Sequence, residues 1–426
     1  MKKFAILALA AILVIAFTVP VSALENEFGG YWRTRFIRQT DFNGQSGKAD
    51  DDQLERVDTR TRLYYTAKLN DNLKFINKFE YDAIWGGDGT YGRVGADTIS
   101  VEVKNSYADF NLGPVNFTIG AQPYKLFRSF QIDADGSGAI ARWKAADNFV
   151  LAGSWLKIFE NGVGNLENND VDAYTLTGAF WFSENVKLVP SVSTVYSSDV
   201  DEGFAARLGL PLPPGGQDID HATIVSYGAD FDMTFDKWGL WSTVYGQTGK
   251  VNSNAGDIDL RGFLASVGGN VNLGEMFELH GEFVYAPGDG ADDPYGGDYS
   301  QVLNTTGSYY WSEIMGLGTF DQQASAGSPA DIINNVWFAN IGTTITPMEK
   351  LSIDVDLWYA ELDEDNQTGD KKLGTELDLA VNYQLIEGLN MKLVGAYLFA
   401  GDATSDDARD NNDDPYEIGM QLSLSF

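Results

Sequence analysis

The sequence predicts an all-β fold, a transmembrane antiparallel up-and-down β-barrel of about eighteen strands behind a signal peptide. Two observations predict it. Apolar and polar residues alternate with a period of two over segments long enough to cross a bilayer when tilted. The connections between these segments alternate between tight turns and long polar loops, as expected when the hairpins of a barrel emerge on opposite sides of a membrane.

The composition bears on several classes of function. The chain has 426 residues, with 61 acidic against 29 basic side chains, a formal net charge of −32 and 44% hydrophobic residues. This apolar content is too high for a disordered acidic chain, and the charge argues against nucleic acid as a partner. The lack of cysteine excludes disulfides, thiolate metal sites and a cysteine nucleophile, and only His221 and His280 offer histidine chemistry. We therefore expect no enzyme and no cofactor.

The N-terminal residues have the pattern of a cleaved signal peptide, residues 1–23. Lys2 and Lys3 form a short positive region, residues 4–18 form an uncharged apolar core, and Val-Ser-Ala at 21–23 fits the cleavage pattern. The core is shorter than the ~20 apolar residues of a membrane-spanning helix. No long apolar run follows, so we expect residues 24–426 to cross a membrane only as a closed barrel.

Strand faces are clear from the alternation. In residues 56–69, Leu63 and Tyr65 share an apolar face, whereas Arg60 and Arg62 share a polar face. The apolar phase should contact lipid and the polar phase should face the lumen. Strands are predicted at 28–40, 56–69, 73–85, 100–112, 114–122, 138–145, 148–158, 171–182, 186–197, 222–235, 238–249, 258–272, 277–286, 335–346, 351–361, 372–385, 389–400 and 415–426.

The connections favour a membrane barrel over a periplasmic β-sandwich. Every second connection is a turn of one to four residues, whereas the others are long and polar. A sandwich has no reason to sort its connections by length, but a barrel does, with turns in the periplasm and loops outside. The long loops are predicted at 41–55, 86–99, 123–137, 159–170, 198–221, 250–257, 287–334, 362–371 and 401–414.

Ten charged residues fall on lumen-facing phases of the predicted strands. A charge facing lipid at mid-depth would cost ~2–4 kcal/mol, so we expect all of them to line the interior. Two interpretations stay open: the basic residues guide anionic groups along one wall, or they form ion pairs that stiffen it. The predicted pore-lining residues are Arg33, Arg35, Arg56, Arg60, Arg62, Lys74, Lys78, Glu80, Asp82 and Arg142.

Short motifs resemble those of Gram-negative outer-membrane porins and of alginate-export-like barrels. The resemblance implies a location in the cell outer membrane, contacts with its lipid and lipopolysaccharide, and a homo-trimer. It also implies that the terminal aromatic residue, Phe426, is the signal that the barrel-assembly machinery reads. The motifs are Gly-Tyr-Trp-Arg-Thr-Arg-Phe at 30–36, Asn-Ser-Tyr-Ala-Asp-Phe at 105–110, Gly-Ala-Gln at 120–122 and the terminal Phe426.

Two long loops are candidates for a constriction. In porins the third loop folds inward, so the resemblance implies that Lys125, Arg128, Asp133 and Asp135 narrow the pore, with the two aspartates facing the basic residues. Loop 287–334 is the rival, because it is the longest loop and contains the aromatic run Tyr-Tyr-Trp at 309–311. That run would stack on sugars or pack against the barrel.

These observations predict a water-filled channel for passive diffusion of ions and small hydrophilic solutes. The alternative is a barrel without an open pore, either a structural or adhesive surface protein or a sheath for an electron-transfer partner. Acidic loops, above all 401–414 with its six aspartates, are candidates for binding divalent cations, although a solvated anionic surface explains them as well.

Overall fold

A computed structural model describes residues 24–42, 53–87, 91–95, 99–160, 170–197, 219–253, 256–289, 298–304, 308–366, 368–404 and 414–426. The predicted signal peptide lies outside these residues. They form a single sheet closed on itself, antiparallel apart from one two-residue parallel pairing. Its strands are β1 Glu25–Thr40, β2 Gln53–Asn70, β3 Leu73–Ile84, β4 Glu102–Leu112, β5 Val115–Leu126, β6 Ile132–Ala146, β7 Phe149–Phe159, β8 Val171–Ser183, β9 Val186–Ser197, β10 Ile219–Thr234, β11 Trp238–Ser253, β12 Gly256–Leu260, β13 Phe263–Asn272, β14 Phe277–Ala286, β15 Asp298–Tyr299, β16 Val336–Met348, β17 Leu351–Leu362, β18 Lys372–Ile386, β19 Leu389–Ala400 and β20 Tyr416–Ser425.

The barrel closes where the first strand meets the last. β1 pairs with β2 on one side and with β20 on the other, with Thr34 opposite Leu422. At the seam, the Gly30 amide donates to the Phe426 carbonyl over 2.8 Å and the Phe426 amide donates back over 3.1 Å. β12 and β13 both pair with β11 and form one interrupted wall strand. β15 is a two-residue strand that pairs in parallel with β12 and is not counted as a strand of the wall. The wall therefore has eighteen strands, which confirms the predicted fold class.

Two predicted loops are largely strand. β5 continues to Leu126 and β6 begins at Ile132, so the predicted loop 123–137 is reduced to a turn at 127–131. Likewise β11 and β12 cover most of the predicted loop 250–257. The sequence around Asp135 is rich in Gly and Asp, which are typical of loops, but cross-strand partners such as Lys125 and Asp133 stabilise an extended hairpin.

The outer surface of the wall is apolar. Large hydrophobic side chains stand exposed at the outward phase of successive strands, and a surface of this kind is stable only against lipid or another apolar phase. Among the described residues, no helix has the length and hydropathy of a membrane span. Examples of the exposed outward residues are Leu63, Phe75, Leu176, Val244, Phe283, Leu357, Leu377 and Ile418.

Several of the described segments enter the lumen and pack against the inward phase of the wall, and two of them bear on the site. The first is the hairpin tip, defined as residues 127–131 between β5 and β6, whose Phe127 ring stacks on Tyr245 at 4.7 Å. The second is the inner loop, defined as residues 308–334 between β14 and β16. Its side chains Ile314 and Phe320 are fully buried. Apolar residues on both segments form the hydrophobic core inside the barrel.

The closing seam yields a test of the fold. A Cβ added at Gly30 would lie 2.8 Å from the Arg62 carbonyl oxygen, whereas a Cβ at Gly153 on β7 would meet nothing within 4 Å. We expect Gly30→Ala to destabilise the barrel by about 1–3 kcal/mol, the usual cost of overpacking. Urea unfolding followed by heat-modifiable gel mobility measures this. Equal midpoints for Gly30→Ala and the control Gly153→Ala would contradict it.

Candidate functional site: the charged lumen

The arginines predicted to line the pore cluster on the inward faces of β1 and β2. Register places Arg33 opposite Arg60, Arg35 opposite Asp58 and Arg60 opposite Asp82. Side chains directly opposite each other in an antiparallel pair share one face of the sheet. We call Arg33, Arg35, Arg56, Arg60 and Arg62 the arginine wall.

Arg35 is the most buried member of the arginine wall, with 3% of its surface exposed. Its Nε and Nη2 donate to the two carboxylate oxygens of Asp58, each over 2.9 Å. Its Nη1 donates to the Phe320 carbonyl over 2.5 Å and also to Asp321. One guanidinium therefore connects two wall strands with the inner loop, in the bidentate geometry that makes such pairs strong.

The other arginines of the wall are also paired. Arg60 donates to Asp82 through Nε and Nη2, over 2.9 and 2.6 Å. Arg62 pairs with Glu80, and Arg56 Nε lies 3.3 Å from Asp58. Arg33 lies 3.8 Å from Asp321 of the inner loop. Carboxylates therefore compensate most of the positive charge of this wall.

The remaining predicted pore-lining residues lie on two other strands, Lys74 and Lys78 on β3 and Arg142 on β6. Lys74 forms an ion pair with Asp109 over 3.1 Å, and Lys78 lies above the Tyr64 ring at 5.2 Å. Arg142 on β6 donates to Thr118 over 3.2 Å and lines a cavity of about 310 Å³.

The four residues predicted to narrow the pore do not lie together, because only Arg128 is on the hairpin tip and the other three are on β5 and β6. Arg128 reaches across the lumen to β10 and β11, where it pairs with Asp232 and donates to the Thr243 hydroxyl over 3.2 Å. Its guanidinium carbon lies 4.7 Å from the centre of the Trp241 ring. Three consecutive residues with left-handed backbone angles at the tip, including Arg128, direct it inward.

Asp133 and Asp135 do not face the arginine wall, which corrects the expectation for these two residues. Asp133 pairs with Lys125 over 3.2 Å, and Asp135 pairs with Lys104 over 3.5 Å. The reason is the extended hairpin: strand pairing of β5 with β6 fixes both aspartates beside their own neighbours on the wall.

Sequence reasoning missed the anchor of the inner loop. The amides of Ile314 and Met315 donate to the two oxygens of Glu376 over 2.6 and 3.0 Å, and the Glu313 amide donates to Asp378 over 3.2 Å. Glu376 is fully buried. Alternation on β18 places both acids on the inward phase, but their partners are backbone groups, which have no sequence signature.

The inner loop and the hairpin tip contact each other inside the barrel. The Tyr309 ring stacks on Phe130 at 4.0 Å, and its hydroxyl donates to Glu282 over 2.6 Å. Burial, together with the nearby carboxylate, raises the pKa of the Tyr309 hydroxyl, so it stays a donor. The inner loop and the hairpin tip therefore narrow the lumen together. Tyr309, the first residue of the aromatic run, packs against the barrel interior.

Acidic side chains dominate the wall on β14 and β17. We call Glu278, Glu282, Asp354 and Asp356 the acidic wall; their register places them on the inward phase with Asn340 and Thr344. His280 Nε2 lies 2.7 Å from Asp356. Within the described ranges, no three metal-ligating side chains are arranged to hold a metal ion. Most aspartates of loop 401–414 lie outside those ranges.

Comparison with known proteins gives solved outer-membrane porins of the Occ/OprD family as structural neighbours. OccK9 (OpdG) of Pseudomonas aeruginosa superposes with a TM-score of 0.60 at 11% identity, covering 94% of this chain and 98% of that chain. OccAB4 of Acinetobacter baumannii gives 0.58 at 12% identity, covering 94% and 98%. A BenF-like porin of Pseudomonas fluorescens Pf-5 gives 0.56 at 12% identity, covering 94% and 99%. No family model and no curated protein sequence matches the chain. This likeness establishes the fold.

The Arg35 cluster yields a test of how the inner loop is held. Arg35→Ala leaves Asp58 and Asp321 without their shared cation, and removing one partner of a buried pair typically costs ~3–5 kcal/mol. We expect the inner loop to detach, which increases its cleavage by proteinase K in detergent and raises single-channel conductance.

Arg38→Ala is the control, because Arg38 pairs with Glu55 at the surface, where both side chains are largely exposed. Such a pair contributes ~0–1 kcal/mol. Unchanged protease protection in Arg35→Ala, with the barrel still folded, would show that the guanidinium does not hold the loop.

Proposed function

We propose that the chain forms a water-filled channel in the outer membrane of a Gram-negative bacterium, for passive diffusion of ions and small hydrophilic solutes. The observation that carries the proposal is the inward phase of the closed eighteen-stranded wall, which is charged on several strands around the ring. Charged side chains retain most of their hydration only where water fills the interior.

The inner loop leaves polar cavities beside it, which supports a narrowed channel. One cavity of about 280 Å³ lies against the arginine wall, and another of about 450 Å³ lies against the acidic wall. Solutes would move past the inner loop along these polar surfaces, and the width beside the loop would set the size limit.

The lipid-facing belt and the terminal strand support the proposed location. Exposed outward residues such as Leu176 and Ile418 suit the hydrocarbon phase, and the Phe426 ring is exposed at the seam, where an assembly factor could contact it. Recognition of Phe426 by the barrel-assembly machinery, contacts with lipopolysaccharide, a homo-trimer and divalent cations bound by loops stay predictions.

A barrel without an open pore is the second candidate, either a structural surface protein or a sheath for an electron-transfer partner. The observation that favours it is the apolar packing of the inner loop, whose Ile314, Met315 and Phe320 are fully buried against the wall. The two candidates differ in conductance, because a packed interior excludes water and ions. No part of either proposal requires catalysis.

Planar-bilayer recording tests the proposal. The purified, folded mature chain should produce stable single-channel currents in KCl, and proteoliposomes should swell in solutions of small uncharged sugars and not in those of large oligosaccharides. Liposomes without protein are the control. A folded, heat-modifiable barrel that neither conducts nor admits sugars would contradict the channel and favour the closed barrel.

A further inference from the structure

A cavity of about 450 Å³ lies between the inner loop and the wall formed by β11, β13, β14 and β16–β19. Five carboxylates line it, from the acidic wall, the inner loop and β18. The basic side chains in the lining are His280 and Lys392. The lining carboxylates are Glu282, Glu313, Asp354, Asp356 and Asp378.

Neutral donors satisfy most of these carboxylates without cancelling their charge. Asp354 accepts hydrogen bonds from the Thr344 hydroxyl and the Asn382 amide, over 2.7 and 2.9 Å. Glu282 accepts from the Tyr309 hydroxyl. Lys392 Nζ lies 4.0 Å from Glu313, and its hydrogen bond goes to the Thr319 hydroxyl. The cavity therefore keeps a net negative charge.

Asp378, the most buried carboxyl group of this lining, already has its partners within the chain. It is only 7% exposed, its Oδ2 accepts from the Glu313 amide, and its carboxyl group shares a hydrogen bond with the neighbouring carboxyl group of Glu376. Two carboxyl groups hydrogen-bond only when they share a proton, so Asp378 is engaged by Glu376 and the inner loop, and the other four lining carboxylates remain to contact a ligand.

Aromatic rings complete the lining. Trp241, Trp311 and Trp358 contribute to it, and Trp311 meets Trp358 edge to face with centroids 5.7 Å apart. The faces of such rings attract cations, most strongly cations that are weakly hydrated. Carboxylates with indole rings suit an organic cation better than a metal ion, which prefers a cage of oxygen ligands.

The chain itself places an organic cation at the edge of this cavity. The Arg128 guanidinium lies over the Trp241 ring and pairs with Asp232, so this wall already binds a guanidinium through an indole face and a carboxylate. A solute with the same chemistry would find the same two kinds of contact in the cavity, at Trp358 and Asp354.

We propose that this cavity binds small organic cations, those with ammonium, quaternary ammonium or guanidinium groups, and that it makes the channel favour them over organic anions. The claim that the channel favours cations rests on the proposed channel function. Binding in the cavity depends on the lining alone. The compensated arginine wall supports the same preference, because its positive charge is largely neutralised by Asp58, Glu80 and Asp82.

Calorimetric titration of the full mature chain in detergent tests the binding. Benzyltrimethylammonium should bind, whereas benzenesulfonate, the anionic probe of similar size, should not. Asp354→Asn and Glu282→Gln should each weaken binding by about tenfold, since each removes one charge and keeps the shape of the side chain. Asp257→Asn is the matched control, because Asp257 lies on β12 outside this lining and pairs with Lys250. It should leave the affinity unchanged.

The outcomes separate this inference from the proposed function. Binding that falls in the two cavity variants and not in Asp257→Asn supports the site. Equal affinity in all variants, or tighter binding of benzenesulfonate, overturns it. Reversal potentials under benzyltrimethylammonium and benzenesulfonate gradients test the transport part, and a preference for the anion overturns that part. Binding without any conductance would contradict the proposed channel and support the binding site. Conductance without binding would contradict the binding site alone.

Discussion

Backbone hydrogen bonding in lipid is the constraint on which the rest of the structure depends. A strand inside a bilayer has no water for its amides and carbonyls, so the sheet has to close, and here β1 closes it against β20. Successive side chains of every strand point to opposite faces, so closure places one face of the sheet outside and the other inside. The apolar phase, with Leu63 and Ile418 exposed on it, then lies outside, and the arginine and acidic walls then lie inside. The chemistry of the lumen follows from this alternation.

The lumen contains two unlike surfaces, with the inner loop lying between them. On the arginine wall, Arg35 shares its charge between Asp58 and Asp321, so the cation fixes the loop instead of staying free for a passing solute. On the other side, hydroxyl and amide donors satisfy the carboxylates and leave their charge in place, as at Asp354. Fixed charge of one sign therefore faces the space beside the inner loop, which favours solutes of the opposite sign.

The sequence alone predicts the wall well and the lumen contents poorly. Period-two alternation is a local signal, so the strands and their inward residues, such as Arg60 and Asp82, follow from the sequence. The path of the inner loop depends on contacts between residues 285 and 286 positions apart, from Arg35 to Phe320 and Asp321, which no local pattern encodes. The predicted loop 123–137 was wrong for a related reason: the Gly- and Asp-rich sequence at 133–138 is typical of a loop, but β5 and β6 pair up to Leu126 and Ile132.

Accessibility along one strand tests the central claim most directly, because the chain contains no cysteine and every introduced thiol is unique. On β8, Thr175 and Thr177 line an interior cavity, whereas Leu176 is 51% exposed on the outer surface. The account predicts that cysteines at positions 175 and 177 react in proteoliposomes with a charged, membrane-impermeant methanethiosulfonate reagent, and that a cysteine at 176 does not. Reaction at 176 with protection at 175 and 177 would show that the polar phase does not enclose water.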